Sequence, residues 1–180
     1  MPAGPWRVEE DSEIGFVARE LLVHRVKGRF RRFEGRFDVQ PGILGTTVVG
    51  RALAGSVETG DPTRDRHLRE ELLRADRFPF LELEGQVVGS GAQEGSWRLA
   101  GRLSIRGASN PVDLDLHVHR LTDAEDRWCL EATALTTILR SAFGLRFPPT
   151  IETGGVVVAD EVDLILRVRA RPTYFLEDEK

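Results

Sequence analysis

Apolar and polar residues alternate along most of this chain with the two-residue period of a half-buried strand. The cleanest run sets Trp97, Leu99, Gly101, Leu103 and Ile105 against Arg98, Ala100, Arg102, Ser104 and Arg106. Val112, Leu114, Leu116 and Val118 alternate in the same way with Asp113, Asp115, His117 and His119, as do Leu81, Leu83, Gly85 and Val87 with Glu82, Glu84 and Gln86. Trp128, Leu130, Ala132, Ala134 and Ile138 share one phase of a further strand. Trp6 and Val8 open the chain as a short strand, and after a turn at Glu10-Asp11-Ser12 a second carries Ile14, Phe16 and Ala18 on one face. The last strand directs Val162, Leu164, Leu166, Val168 and Ala170 inward, and residues 171–180 read as a flexible tail. Two stretches disturb the pattern. Val26, Gly28 and Phe30 lie in one phase but Phe33, Gly35, Phe37 and Val39 in the other, so a β-bulge or bend at Arg31-Arg32 is needed to keep a single inner face. Thr46 to Val57 has no polar face: Val49, Leu53 and Val57 lie on one side and Val48, Gly50, Ala52 and Ala54 on the other, and the expected lining set takes Val49 and Leu53.

Alternation stops between Val57 and Pro79. Asp61 can cap a helix whose first residue is Pro62, where the missing N–H costs nothing. Leu68, Leu72 and Ala75 then make one apolar stripe among Arg64, Arg66, Arg69, Glu70, Glu71 and Arg74, which predicts a helix over 62–75 that ends before Pro79 and lies against the sheet. Turns are expected at Gln40-Pro41-Gly42, at residues 89–96, at Gly107–Asn110 and at Arg120–Arg127. Residues 139–155 form a long connection in which Pro148-Pro149 excludes a central strand, anchored by Phe143, Leu145, Phe147 and Ile151. No strand–helix–strand repeat occurs, so a doubly wound sheet is excluded. The expected fold is all-β, about eight strands in antiparallel hairpins with one helix between the early and later strands, closed as a barrel or stacked as a two-sheet sandwich. Small residues such as Gly50, Ala52, Ala54, Gly101, Ala132 and Ala134 favour a barrel with room for one ligand.

Composition narrows the function. A chain of 180 residues suits one domain, 1–180, and a formal charge of −4 supplies no field for nucleic acid. The basic run Lys27, Arg29, Arg31 and Arg32 reads as a solvated strand face. A single cysteine, Cys129, allows no internal disulfide. The opening MPAGPWRVEEDSE has no basic segment followed by an apolar run of about 7–15 residues, and no apolar stretch reaches the roughly 18 residues of a membrane span, so a cytoplasmic location is expected. His117 and His119 have metal-ligand spacing, but they alternate with an apolar set and so face solvent, and no metal or other cofactor is expected. Asp65 and His67 are two apart on a helix and do not face each other. The glycine-rich GSGAQEG lacks the context and the Lys-Ser/Thr ending of a phosphate loop. No enzyme activity is expected.

Several stretches resemble the YceI family of lipocalin-like antiparallel barrels. Ile14-Gly15-Phe16-Val17-Ala18-Arg19 followed by Val26-Lys27-Gly28-Arg29-Phe30 and Phe33-Glu34-Gly35 is similar to the family's opening, and Arg64-Asp65, His67-Leu68 and Phe78-Pro79 to its helix motif. Gly101 to Gly107 with Pro111-Val112, and Arg140, Phe143-Gly144-Leu145 with Val162, resemble later segments. Departures are Arg19-Glu20-Leu21 where Arg-His-Leu is common, the missing leader of periplasmic relatives, and a helix with Leu72-Leu73 in place of aromatic residues. The resemblance implies an eight-stranded antiparallel lipocalin-like barrel that encloses a polyisoprenoid or isoprenoid quinone-like lipid, and a possible homodimer. The lining candidates, drawn from the apolar phases, are Phe16, Phe30, Phe37, Val49, Leu53, Leu83, Trp97, Leu99, Leu103, Leu114, Leu130, Ala132, Phe143 and Leu164. Arg64, His67 and Arg140 are rim candidates because they match family motifs, with a polar head group expected near the helix and the loop from Ser141 to Thr153. The expected function is non-catalytic binding, carriage or sensing of a long apolar molecule. The alternatives are a ligand-free structural or stress-related barrel and, third, an enzyme acting on such a ligand.

Overall fold

A computed structural model describes residues 1–20, 24–146 and 158–173. Among these it joins eleven strands into one antiparallel sheet: β1 (Gly4–Val8), β2 (Glu13–Glu20), β3 (His24–Phe30), β4 (Phe33–Val39), β5 (Thr47–Leu53), β6 (Val57–Glu58), β7 (Phe80–Ser90), β8 (Trp97–Ile105), β9 (Ala108–Thr122), β10 (Trp128–Leu139) and β11 (Val158–Pro172). These strands make eight staves, because three staves are broken in the middle. One edge of β11 pairs first with β2 and then with β1, so β1 and β2 are halves of stave one. β3 and β4 follow them as stave two, and β5 and β6 as stave three. β7 to β11 complete an up-and-down barrel, and the pairs Trp6↔Pro172, Arg7↔Arg171 and Val8↔Ala170 close it.

The breaks have local causes. At Glu9–Ser12 the Ser12 N–H turns back to Glu9 O (3.1 Å), while the Glu9 N–H stays on Arg169 O of β11 (2.7 Å). At the expected bend, Arg31 donates to Ser56 O and Arg32 O accepts from the Leu53 N–H, so stave two kinks toward stave three. Stave three is itself interrupted by a 3-10 turn at Ala54–Ser56. The β8–β9 hairpin is tighter than the expected Gly107–Asn110 turn: Arg106 (φ 51°) and Gly107 (φ 76°) form a two-residue loop of the kind that matches strand twist, and residues 108–110 join the strand. β11 also continues through Arg171 and Pro172, into the expected tail, because these residues pair with β1. The apolar run at residues 21–23 and the anchors Phe147 and Ile151 lie outside the described residues.

Asp61 caps the helix as expected, accepting from the N–H groups of Thr63 (2.9 Å) and Arg64 (3.1 Å). The helix is shorter than the predicted 62–75. An α-helical segment α1 (Pro62–His67) widens into a π turn (Leu68–Leu72), sealed by Leu73 N–H to Leu68 O at 2.8 Å. Arg74 then adopts the left-handed conformation (φ 52°) and the Ala75 N–H reaches back to Arg69 O, which ends the helix well before Pro79. The wide turn brings both Leu72 and Leu73 into the core, where the regular spacing offered Leu72 alone. With Leu68 they pack on Phe30, Ala54, Val57, Ile105 and Phe143 at one end, the base, of the barrel. Val87, Leu99, Leu114 and Ala134 fill its middle, and Trp6, Val39, Leu130 and Ala170 the opposite end.

Two inward glycines should respond differently to alanine. A Cβ at Gly101 would lie 2.3 Å from the backbone oxygen of Glu84 on the paired strand, and relief requires the ladder to shift. At Gly50 the nearest atom is 3.6 Å away. In urea unfolding Gly101→Ala is expected to lose about 1–3 kcal/mol, whereas Gly50→Ala should keep or raise stability.

Candidate functional site

The inner face of the sheet encloses space that its side chains do not fill. A cavity of about 130 Å³ lies between Phe30, Phe33, Gly50, Ala52, Leu103 and Leu164, and a second of about 70 Å³ lies between Val39, Val87, Leu99, Leu130 and Ala132 toward the Trp6 end. Phe37, Val48, Leu83, Leu166 and Val168 border both and form the partition between them. The larger space is close to the roughly 150 Å³ at which an apolar cavity stays dry and admits a benzene-sized guest. Thr136, on the inward phase of β10 between Ala134 and Ile138, is a single hydroxyl in an otherwise apolar wall. Glu34, Arg51 and Glu82 border the cavity from the outward phase of their strands.

Most of the lining set expected from alternation meets here. Phe30, Phe37, Leu83, Leu103, Leu114 and Leu164 line the larger cavity, and Phe37, Leu83, Leu99, Leu130 and Ala132 the smaller. Trp97 packs in the middle cluster without bordering either space. Phe16 lies over Gly28, where a Cβ would come within 2.2 Å of its ring, and its centroid is 5.9 Å from that of Phe30. Phe143 is buried in the base cluster. Val49 borders the larger cavity from the outward phase of β5, beside Arg51, and Leu53 borders neither space. Val49 is 38% exposed, and the inward phase of β5 is Val48, Gly50 and Ala52. Arg51 was the available signal: it shares the phase of Val49 and Leu53 and reaches Glu34 on the outer surface, and a charge in mid-strand marks the solvent side. Val8, Phe33 and Val112 are further wall residues that the expected set omitted, although each lies in the apolar phase of its strand.

The three rim candidates are each engaged within the protein. Arg64 is turned onto Thr59, with Nε donating to Oγ1 (2.8 Å) and Nη2 to the backbone oxygen (3.2 Å). His67 sits on the solvent side of the helix, its Nε2 4.0 Å from Glu71 Oε1, while buried Asp65 accepts from the N–H (2.8 Å) and hydroxyl (2.5 Å) of Thr59. Arg140 donates to the backbone oxygens of Leu145, Val158 and Ala159. These are structural tasks: Arg140 fixes a 3-10 turn (Arg140–Phe143) across the base of the barrel, where Arg106 bridges Leu72 O and Gly144 O and Asn110 holds Ala142 O. Of the loop expected near the head group, residues 147–153 lie outside the described residues. His119 pairs with Thr133 Oγ1 (2.8 Å) on the exposed side of the sheet, and buried Cys129 accepts from Arg169 Nε (3.3 Å).

An eight-staved barrel of this order, with a helix inserted between staves three and four, corresponds to the YceI-like domain, whose family model matches residues 6–170. The chain belongs to the YceI-like family. The matched span begins at Trp6 and ends at Ala170, within the strands that close the ring. A UPF0312 protein of Staphylococcus aureus (strain bovine RF122 / ET3-1) is 26% identical over 158 residues, covering 84% of this chain and 87% of the relative. Among solved structures, BcnA of Burkholderia cenocepacia superposes with a TM-score of 0.77 at 19% identity, covering 90% of this chain and 98% of its own. A polyisoprenoid binding domain from Saccharophagus degradans, implicated in plant cell wall breakdown, superposes with a TM-score of 0.74 at 15% identity, covering 92% and 97%.

The base of this YceI-like barrel carries a pH dependence. Ser141 donates both its hydroxyl and its backbone N–H to Asp160, which holds that carboxyl below its ordinary value against a smaller opposing effect of burial. A carboxylate with a lowered folded pKa stabilises the fold fully above the ordinary value of about 3.9, and the contribution is lost as pH falls through the folded value. Hydrogen-exchange protection of the Arg140–Phe143 turn is therefore expected to hold down to about pH 4 and to fall as the pH drops below it. In Asp160→Asn it should be lower at neutral pH and nearly flat over the same range.

Proposed function

We propose that the lumen binds the apolar tail of a lipid-like molecule, an isoprenoid or a chain of similar section, and that the protein carries or senses that molecule without transforming it. The observation that carries this reading is the unfilled apolar space around Gly50, which is paired with Gly35 on stave two and with Leu83 on β7. The description of the Saccharophagus degradans neighbour as a polyisoprenoid binding domain supports the choice of ligand class. The wall supports a non-catalytic role: its inward phase offers two threonine hydroxyls, Thr136 in the larger cavity and Thr46 in the smaller, and neither a carboxylate nor an imidazole to exchange protons with a guest. Each methylene withdrawn from water contributes about 0.8 kcal/mol, so a few of them offset the ordering of a flexible chain.

Size sets the mechanism. The larger cavity holds a short apolar segment, and a long chain needs both cavities in line. Phe37 and Leu83, which separate them, are the side chains whose rotation joins them into one tunnel along the barrel axis. A rotamer displaced from its minimum costs about 0.5–1.5 kcal/mol, which a pair of buried methylenes repays.

Ala132 provides the test, because it lines the smaller cavity and is 5% exposed. Protein purified from cells, or exposed to vesicles containing a polyisoprenoid, is expected to show an apolar adduct in native mass spectrometry. Ala132→Trp should fill the smaller cavity, keep a cooperative melt and lower occupancy by long chains about tenfold, equivalent to ~1.4 kcal/mol. Absence of any adduct on the parent protein, or undiminished occupancy in the folded variant, would favour the ligand-free barrel.

A further inference from the structure

Both ends of the lumen are capped among the described residues, by the helix and the Arg140–Phe143 turn at the base and by Trp6, Val39, Leu130 and Ala170 opposite. The side wall, in contrast, lacks a hydrogen-bonded ladder at two places: between β9 and β10 beyond Leu135↔Asp115, where Asn110 reaches across to Ala142 O, and between staves one and two, where the break lies beside grooves on the outer surface. Staves one and two pair from Gly4↔Val39 to Arg7↔Arg36 and again from Ile14↔Phe30 onward, but no ladder pair joins residues 8–13 to residues 31–35. The two kinks diverge there. Stave one is drawn to stave eight, where Glu9 N–H holds Arg169 O and Ser12 Oγ accepts from the Arg169 N–H (2.9 Å). Stave two is drawn to stave three through Ser56 O and the Leu53 N–H. Side chains, not a hydrogen-bonded ladder, close the wall between them: Val8, Phe30 and Phe33 border the larger cavity, and each also borders a groove on the outer surface.

Beside this gap the outer surface has an unusual charge arrangement. Arg7 lies opposite Arg36 on one side and Arg171 on the other, and like charges in register across antiparallel strands repel. Arg171 is neutralised by Glu9 and Asp123 (3.1 and 2.9 Å). The side chains of Arg7 and Arg36 have no hydrogen-bond or ion-pair partner among the described residues, although both are exposed beside one groove. Of the nearby carboxylates, Glu34 is held by Arg51, Glu9 by Arg169 and Arg171, and Asp38, Glu10 and Glu84 engage neither arginine.

We propose that the gap between staves one and two is the entry portal, and that the natural guest is an apolar chain ending in a carboxylate or phosphate. The anionic end sits between Arg7 and Arg36, where two guanidinium groups offer paired N–H donors. The chain passes between Val8 and Phe33 and enters the lumen over Gly35 and Gly50. This proposal rests on the reading of the lumen as a lipid site, and the test separates the two.

Val8 Cβ is 3.5 Å from the position a Cβ would take at residue 35, within the roughly 3.5–4.5 Å of a disulfide. Val8→Cys with Gly35→Cys therefore locks the gap reversibly, and buried Cys129 does not compete. Stopped-flow uptake of a fluorescent polyene fatty acid is expected to slow about tenfold or more when this pair is oxidised and to recover on reduction, and probe loaded before oxidation should be retained on dilution. Equal rates in both states overturn the portal while leaving the lumen reading intact; no uptake by the parent protein overturns both. Should the cysteine pair not fold, Phe33→Ala is expected to accelerate uptake several-fold, and an unchanged rate overturns the portal. For the head group, the exposed double change Arg7→Ala, Arg36→Ala should weaken binding of the fatty acid, or of the alkyl phosphate with the same chain, about tenfold and leave the corresponding alcohol unaffected. The acid that loses more is the better match. An equal loss for the alcohol, or no loss for either acid, overturns the anionic end.

Discussion

Ring closure between the first and last staves is the constraint on which this structure depends. One long strand, Val158–Pro172, serves two short ones: β2 occupies its first part and β1 its end. Their registers on β11 differ by two residues, and the turn at Glu9–Ser12 absorbs the difference without losing the Glu9 N–H bond to Arg169 O. Around this seam the charges are arranged to hold. Asp123 is pushed up by burial, but donors on Arg171 and on the backbone of Arg127 and Glu125 prevail and hold it well below the ordinary carboxylate range. Arg171 in turn ties Asp123 to Glu9, so the β9–β10 loop, stave eight and stave one are joined by one guanidinium. Trp6, fully buried, packs beneath, with its Nε1 on Pro2 O.

Alternation made most of this architecture legible, because a closed barrel has one dry face and each stave must declare it every second residue. The bend at Arg31-Arg32 was readable for the same reason, as a phase change that only an irregular backbone can reconcile. Legibility failed where the rule lost contrast. Thr46 to Val57 has small or apolar residues in both phases, and only Arg51 marked the outside. The π turn at Leu68–Leu72 was invisible to a 3.6-residue period, since it is a departure from that period which brings Leu73 inward beside Leu72. The rim candidates are a different case. Arg64 and Arg140 match the family's motifs, yet both cations are occupied by backbone carbonyls and a threonine, so the motif marks how the helix and base are fastened.

Small inward residues proved a poorer guide to empty space than their number implied. Phe16 covers Gly28, Val8 fills the place beside Gly35, and Gly85 and Gly101 lie against each other because the strands approach too closely for a side chain between them. Only at Gly50 does a missing side chain translate into volume. Glycine in a strand costs conformational entropy without adding packing, so an inward one with room for a methyl group at ordinary contact distance is unexpected unless the space has a use. That reasoning separates glycines that let a curved sheet close from the one that leaves it hollow.

The gap between staves one and two fits the same economy of closure. A barrel whose ladder is complete has no edge, and its interior is reached only through its ends. Here both described ends are occupied by packed side chains and by arginines clamped on carbonyls. At this break the unpaired backbone lies at the surface. Glu10 and Asp11 are exposed and their N–H and C=O groups meet water, while the neighbours on each side keep their bonds to staves eight and three. A lateral opening can therefore exist in the folded state without a conformational change in the sheet. What must move is confined to side chains such as Phe33, and a ring flip is a far smaller event than lifting a helix pinned by Arg106, Arg64 and the Asp61 cap.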